Sequence, residues 1–318
     1  MHIDSRGEGT FVFVACGQKL WVVGAPRDPD FLSSTTAWTG NLDVTAPSKD
    51  DWRLEGVLLC AGDRLLMRSC TPHAVLTTDD AICHGGHFLA MSTIAETVWG
   101  FCHTFFEGHI ITNIDHPTIR IRINTISSFL HKHIVLNDFS ESDVGHVPDL
   151  STPQGMTDLL MFACAVEIQH VVCFDTYRPA SSGPLISVLG VHGISPQDAL
   201  DRFDVSSIIH DQRIQNAYSR GKTYDVLREA FARVMVTDKN GHAHDPWSWL
   251  FIPMLGWLLH ALKEYYRRSY GKVDVEDYEE EREVHVTYSQ FLRQLEWTSM
   301  RWKELKVEFD RLEAQKVP

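Results

Sequence analysis

Short apolar runs rich in β-branched residues dominate the chain from Thr10 to about Val135. They read TFVFVA, KLWVVGA, VLLCA, RLLMR, HAVLTT, HIITNI and TIRIRI, and Gly, Asp and Pro separate them. Runs of this length between turn residues are typical of short antiparallel strands in a sandwich or jelly roll. The dipeptide Gly62-Asp63 lies between two of the runs and predicts the turn of a hairpin.

A helical pattern replaces the strand pattern after Asn137. The polar, Pro- and Gly-containing segment 140–155 predicts a linker, and residues 156–174 are apolar nearly all round, which predicts a buried helix. From 287 to 312, apolar residues from Tyr288 onward recur mostly at spacings of three and four and predict an amphipathic helix that needs a partner surface. We therefore predict an α+β chain with a β-rich unit at 1–137, a linker at 138–155 and a helical region at 156–318.

Composition narrows the function classes. The chain has 318 residues, 44% of them hydrophobic, and a formal net charge of −13, which argues against direct nucleic-acid binding through a broad basic surface. Seven cysteines without a CxxC pair, and no signal-peptide pattern, predict a reducing, intracellular compartment. The most apolar stretch, 246–262, is shorter than a bilayer span and contains an internal proline and glycine, so we predict a buried or partner-facing helix and no membrane segment.

The first residues of the chain carry a candidate metal pair. His2 and Asp4 are two positions apart, so on a strand both side chains lie on the same face. A histidine from a distant strand would complete a facial triad of two His and one carboxylate, which leaves open positions on Fe(II), and His73 is the candidate. Lys19 follows on what reads as the next strand of the same sheet, where its ammonium would bind a carboxylate of a 2-oxo acid.

These motifs, taken in order, resemble a known family. The stretches HID, GTFVFVACGQKLWVV and WRLEGVLLCAGDRLLMRSCTPHAVLTT are similar to the core of the JmjC domain, and in particular to JmjC proteins of fungi. The resemblance covers about residues 1 to 135. It implies a double-stranded β-helix, the cupin jelly roll of Fe(II)- and 2-oxoglutarate-dependent oxygenases, at 1–137.

The resemblance also implies site residues and a function. His2, Asp4 and His73 would be the catalytic iron ligands, and Lys19 would anchor the co-substrate 2-oxoglutarate. Thr10 would either lie beside the co-substrate or be an ordinary strand residue. The reaction would hydroxylate or demethylate a protein substrate, a histone lysine included, and the family suggests a nuclear location.

One departure from the family pattern keeps a second hypothesis open. In the family, further strands and a hydroxyl residue precede the HxD pair, whereas only Met1 precedes it here. We therefore expect either a chain that is incomplete at its N-terminus or a catalytically inactive JmjC-like protein that acts as an interaction module. The helical region would then bind a partner, and it offers a surface for self-association in either case.

The sequence CHGGHF contains a weaker metal candidate. Cys83, His84 and His87 match no standard zinc spacing, so we favour a structural or partner-contacting role for them. Gly85-Gly86 predicts a tight backbone bend after the His73 strand.

Two further segments each allow a structural and a functional interpretation. The run from His242 to Asp245 is either a second metal site or a helix start, and we favour a helix that Asp245 caps, with Pro246 in its first position. The acidic run 274–283 is either a solvated linker or a contact for a basic partner such as a histone tail. The sequence contains neither a GxSxG motif nor a phosphate-binding glycine loop.

Overall fold

The computed structural model describes residues 1–28, 48–107, 119–138, 140, 144–177, 210–270 and 286–300. The chain divides into two compact units, which we describe separately. The first comprises Met1–Ile119 with Glu264–Gly271, and the second comprises Arg120–Lys263 with Lys272–Pro318. The α+β class is confirmed, because the described residues combine antiparallel strands with helices. The double-stranded β-helix itself stays a prediction.

The described strands of the first unit form one antiparallel sheet around a long central strand. β4 pairs with β1 along nearly its whole length, and β2 and β3 follow one another along the other edge of β1. The strands are β1 (Gly9–Pro26), β2 (Trp52–Cys60), β3 (Arg64–Met67) and β4 (His73–Phe88). The predicted hairpin at Gly62 is wrong. The turn there connects β2 to β3, but each of these strands pairs with β1 and they do not pair with each other. The amide of Gly62 instead donates to the carbonyl of Val14 at 2.8 Å.

A bulge in β1 determines which of its side chains face the core. The β1–β4 register shifts three times between Val14 and Lys19: the first shift adds one residue to β1, and the next two add two residues to β4. Gly17 lies in the bulge at φ +76°, and a Cβ there would lie 2.0 Å from the carbonyl oxygen of Asp80. Even-numbered residues before the bulge and odd-numbered residues after it therefore share one face. The core cluster on this face is Val12, Val14, Trp21, Leu59 and Met67.

A helix packs beside the strands of the first unit. This helix, α1 (Ile94–Glu107), buries one aromatic or aliphatic side chain after another, including Val98, Phe101 and Phe105. His103 lies within this core: its ring stacks on Trp99 with centroids 4.6 Å apart, and its Nδ1 is 2.9 Å from the hydroxyl of Tyr265. Burial lowers the pKa of His103 from 6.5 to about 3.

One predicted strand of the β-rich segment is a helix. Residues 119–123 of the run TIRIRI lie in α2 (Ile119–Leu130), where Ile119 and Ile123 are fully buried and Ile121 is 62% exposed. Alternating isoleucines fit a strand, but positions 119, 123, 127 and 130 are buried, and their spacing is that of a helix face. The predicted strand HIITNI lies outside the described residues.

The second unit is helical, with one short hairpin. Its described elements are α2, α3 (Pro153–Ile168), α4 (His210–Ala232), β5 (Val236–Thr237), β6 (Ala243–His244), most of α5 (Ile252–Tyr270) and α6 (288–300). α3 begins inside the segment predicted as a linker, where Thr152 caps it through the amide of Gly155 at 3.0 Å. α3 is buried on nearly every side, as its apolar sequence predicts.

A buried ion pair joins α3 and α4. Arg220 donates from Nε and from a terminal nitrogen to the two carboxylate oxygens of Glu167, at 3.0 and 2.6 Å, and each side chain is 1% exposed. The guanidinium also lies 4.6 Å from the ring centroid of Trp297. Next to it, burial and the positive charge of Arg220 hold the pKa of His170 well below its ordinary value.

The predicted helices late in the chain are present where the structure describes them. Thr287 and Gln290 form a reciprocal cap at the start of α6, with the Thr287 amide 2.9 Å from Gln290 Oε1. The buried stripe of α6 includes Phe291 and Leu295, whereas the predicted stripe member Tyr288 is 39% exposed. Within the described part of the chain, no helix is both long enough and apolar enough to cross a bilayer. The acidic run 274–283 lies outside the described residues.

Candidate metal centre

The three side chains predicted as metal ligands lie together. One ligand atom from each of His2, Asp4 and His73 lies within 4.8 Å of the other two. Among the described residues, this is the one group of three His, Cys, Asp or Glu side chains placed closely enough to hold a common ion. Two imidazoles and one carboxylate form the donor set of the facial triad, so these residues fit Fe(II) chemically.

His73 is held in a fixed orientation. Its ring is 3% exposed and stacks on Trp21, with centroids 5.4 Å apart and planes 23° from parallel. Its Nδ1 lies 2.9 Å from the carbonyl oxygen of Thr71, and because a carbonyl only accepts, Nδ1 carries the proton. Nε2 is therefore left with its lone pair, 3.8 Å from Asp4 Oδ1. A backbone carbonyl that fixes the tautomer of a ligating histidine is the usual support of a metal site.

His2 is ordered despite its place at the chain terminus. Its amide and carbonyl exchange hydrogen bonds of 2.9 and 2.8 Å with the backbone of His73, as in a two-residue ladder. The two imidazole centroids are 4.3 Å apart. Burial, followed by the nearby His73, lowers the pKa of His2, which favours the neutral imidazole that binds metal.

The segment after Asp4 is fastened to α1. Gly7 accepts a 2.8 Å hydrogen bond from the Thr97 hydroxyl, and the amide of Arg6 donates to Thr104 at 2.9 Å. A Cβ on Gly100 would lie 2.4 Å from Gly7 Cα, so the backbone approaches the helix where neither residue has a side chain. These contacts hold the chain after Asp4, and the backbone pair of His2 with His73 holds it before Asp4.

Asp4 accepts a hydrogen bond from Thr10, which was predicted either to lie beside the co-substrate or to be an ordinary strand residue. The hydroxyl of Thr10 donates to Asp4 Oδ2 and also lies 3.0 Å from Nδ1 of His87. Thr10 is 7% exposed. Its predicted place beside 2-oxoglutarate stays a prediction, and the contact that the structure adds is with the carboxylate of Asp4, a candidate metal ligand.

Lys19 lies on the same face of the sheet as the three predicted metal ligands. In the register of β1 and β4, Lys19 is opposite Thr77, Trp21 is opposite Val75 and Val23 is opposite His73. Lys19 is partly exposed, as are His2 and Asp4, so this face is accessible to small molecules at that end. The indole nitrogen of Trp21 is buried and has no acceptor in the described part of the protein.

The weaker metal candidates are explained by structure. Cys83 and His87 lie on the inner face of β4, whereas the exposed His84 lies on the outer face, so CHGGHF does not converge on one ion. Gly85 and Gly86 lie within β4, which corrects the predicted bend.

The second candidate run is also structural. Asp245 accepts from the amide and hydroxyl of Ser248, at 3.0 and 2.7 Å, and thereby caps the following helical turn as predicted. His242 and His244 lie 3.1 and 3.5 Å from Asp238, whose carboxylate also closes the β5–β6 turn through backbone amides.

His87 is the residue of this centre that sequence reasoning did not assign. Its position fourteen residues after His73 on one strand places both on the same face, and this even spacing was the available signal.

No protein-family model matches the chain.

Proposed function

We propose that this chain is an Fe(II)- and 2-oxoglutarate-dependent oxygenase of the JmjC type, with a jelly-roll catalytic unit. The observation that carries the proposal is the convergence of His2, Asp4 and His73 within 4.8 Å on a β-sheet face. The residues come from the two ends of a segment about seventy positions long, and they supply the two-His, one-carboxylate donor set.

Different residues of the site would bind the ion and the co-substrate. His2, Asp4 and His73 would hold the ion through two neutral imidazoles and one carboxylate. Bound Fe(II) with 2-oxoglutarate and dioxygen supplies oxidising chemistry that places one oxygen atom on a substrate carbon and the other in succinate, with release of carbon dioxide. Lys19 would bind a carboxylate of 2-oxoglutarate by charge-assisted hydrogen bonding. The indole N–H of Trp21, which has no acceptor among the described residues, offers a further donor.

A protein side chain is the proposed substrate. Oxidation at a C–H carbon gives a hydroxylated residue, and oxidation of an N-methyl group leads to demethylation, because the hydroxymethyl amine releases formaldehyde. The net charge of −13 favours a basic substrate such as a lysine-rich histone tail, by charge complementarity. A nuclear location remains a prediction from the family resemblance.

The direct test is an anaerobic titration of the whole chain with Fe(II) and then 2-oxoglutarate, followed by the charge-transfer absorbance of the chelate. We expect the band in the parent protein, its loss in His73→Ala, and a shift to higher 2-oxoglutarate concentration in Lys19→Ala. His84→Ala is the matched control, because this histidine is on the same strand but on the outer face.

Two other outcomes are informative. A folded parent protein that gives no band contradicts the proposal and favours the inactive, interaction-module hypothesis. A band that survives in His73→Ala shows that iron binds elsewhere, and the assignment of the centre is then wrong.

A further inference from the structure

A hydrogen-bonded chain of three side chains leads into the metal centre from β4. His87 Nδ1 lies 3.0 Å from the Thr10 hydroxyl oxygen, and the same hydroxyl is bonded to Asp4 Oδ2. Thr10 and His87 are directly opposite each other in the β1–β4 register. His87 therefore reaches the carboxylate of Asp4 through a single intervening hydroxyl.

The direction of the hydrogen bonds follows from the chemistry of the groups. A metal-ligating aspartate is a carboxylate, which only accepts, so Thr10 must donate its one hydroxyl proton to Asp4. The hydroxyl oxygen can then only accept from the imidazole, so His87 must carry a proton on Nδ1. The chain therefore runs from His87 through Thr10 to Asp4, and each member fixes the orientation of the next.

The local backbone explains how His87 comes so close to β1. A Cβ at Gly85 would lie 2.8 Å from the carbonyl oxygen of Phe11, and a Cβ at Gly86 would lie 2.8 Å from the Phe11 ring. The two glycines thus let β4 approach β1 immediately before His87. A close backbone approach is a common reason for glycine inside a strand.

We propose that His87 is a positioning residue of the metal centre, which acts through Thr10 to hold the Asp4 carboxylate in its ligating orientation. The inference rests on the proposed metal-binding function and adds a residue that reaches the ligand set through the Thr10 hydroxyl. Outer-shell partners of ligating groups typically change metal affinity by about 10- to 100-fold when they are removed.

Two variants separate this role from a general effect of losing a histidine. In His87→Asn the side-chain amide occupies the place of Nδ1 and retains a donor for Thr10. In His87→Gln the amide reaches the place of Nε2 instead, and the bond to Thr10 is lost. Thr10→Ser keeps the hydroxyl, and Thr10→Val removes it with little change in shape.

The measurement is calorimetric titration of the whole chain with Co(II) alone, with folding of each variant checked by circular dichroism. We expect Co(II) affinity to fall about 10- to 100-fold in His87→Gln and Thr10→Val, and to stay within about threefold in His87→Asn and Thr10→Ser. The double variant Thr10→Val/His87→Gln should bind no more weakly than Thr10→Val, because both changes break one chain. His84→Gln, on the outer face, should leave affinity unchanged.

The titration distinguishes failure of the proposed metal centre from failure of the proposed role of His87. If the parent binds no Co(II), the proposed metal centre is wrong and the role of His87 is wrong with it. If the parent and His87→Gln bind equally, the centre stands and the positioning role is refuted. A readout without any variant is the nitrogen-15 NMR spectrum of the metal-free protein. It should show that Nδ1 of His87 carries a proton. A neutral tautomer with the proton on Nε2 and none on Nδ1 would overturn the inference.

Discussion

The bulge at Gly17 should be the most sensitive backbone position of the sheet. Alanine at Gly17 has two separate costs: a left-handed backbone at φ +76°, and a Cβ 2.0 Å from the carbonyl oxygen of Asp80. The first costs about 1–2 kcal/mol for a residue with a Cβ. The second is overpacking against rigid backbone, and such strain typically costs about 1–3 kcal/mol more.

Gly62 supplies the matched control, because it has a similar backbone and no clash. Its φ is +96°, and a Cβ there would meet nothing within 4 Å. Gly62→Ala should therefore cost only the backbone part, about 1–2 kcal/mol, whereas Gly17→Ala should cost about 2–5 kcal/mol. The difference between the two variants isolates the contact with Asp80.

Hydrogen exchange followed by mass spectrometry is the suitable assay, since peptides from β1 and β4 report the opening of this sheet by itself. At about 1.4 kcal/mol per tenfold change, exchange should accelerate about 5- to 30-fold in Gly62→Ala and about 30-fold to several thousand-fold in Gly17→Ala. Equal acceleration in the two variants would show that the clash relaxes freely. Unchanged exchange in Gly17→Ala would refute the bulge itself.

Three further predictions follow from buried contacts. Glu167→Gln leaves the Arg220 charge buried without its partner and should lower stability by about 3–5 kcal/mol in urea unfolding, while adding Arg220→Met should recover much of the loss; no recovery would contradict the charge argument. Because the pKa of His103 is lowered to about 3, the unfolded chain binds more protons between pH 6.5 and 3, so stability should fall on acidification. His103→Gln should flatten the pH dependence by up to about 1.4 kcal/mol per pH unit, and an unchanged slope would contradict this. Gly100→Ala should weaken Co(II) binding at least about tenfold by undocking Gly7, although alanine raises the propensity of the helix itself, and unaltered affinity would refute the docking.

The strands and the proximity of His2 and Asp4 were accessible from sequence because both depend on short-range pattern. Apolar runs between turn residues fall on β1 to β4, although TFVFVA and KLWVVGA, predicted as separate strands, are both part of the single strand β1. The HxD spacing correctly predicts that His2 and Asp4 lie together. Ordinary strand alternation is enough for such predictions. Strand alternation alone gives the wrong result for Thr10 and Lys19. Their odd separation predicts opposite faces of β1, but the bulge between them places both side chains on one face.

The errors arise where tertiary contacts decide between two acceptable local structures. Alternating isoleucines in TIRIRI suit a strand, yet burial of Ile119 and Ile123 selects a helix. Gly62-Asp63 is a good hairpin turn, yet both flanking strands pair with β1. The role of His87 depends on which residue lies across the sheet, and register is not written in the sequence of either strand alone.

The docking of residues 5–7 on α1 has a thermodynamic consequence. A ligand that binds only the folded form of a site stabilises everything that must be folded for the site to exist, by about 2.7 kcal/mol at a concentration one hundred times its dissociation constant. Since Gly7 rests on Gly100, the ion would add its binding energy to a helix that supplies none of its ligands. Slower amide exchange in α1 on metal addition would then report occupancy of the site from outside it.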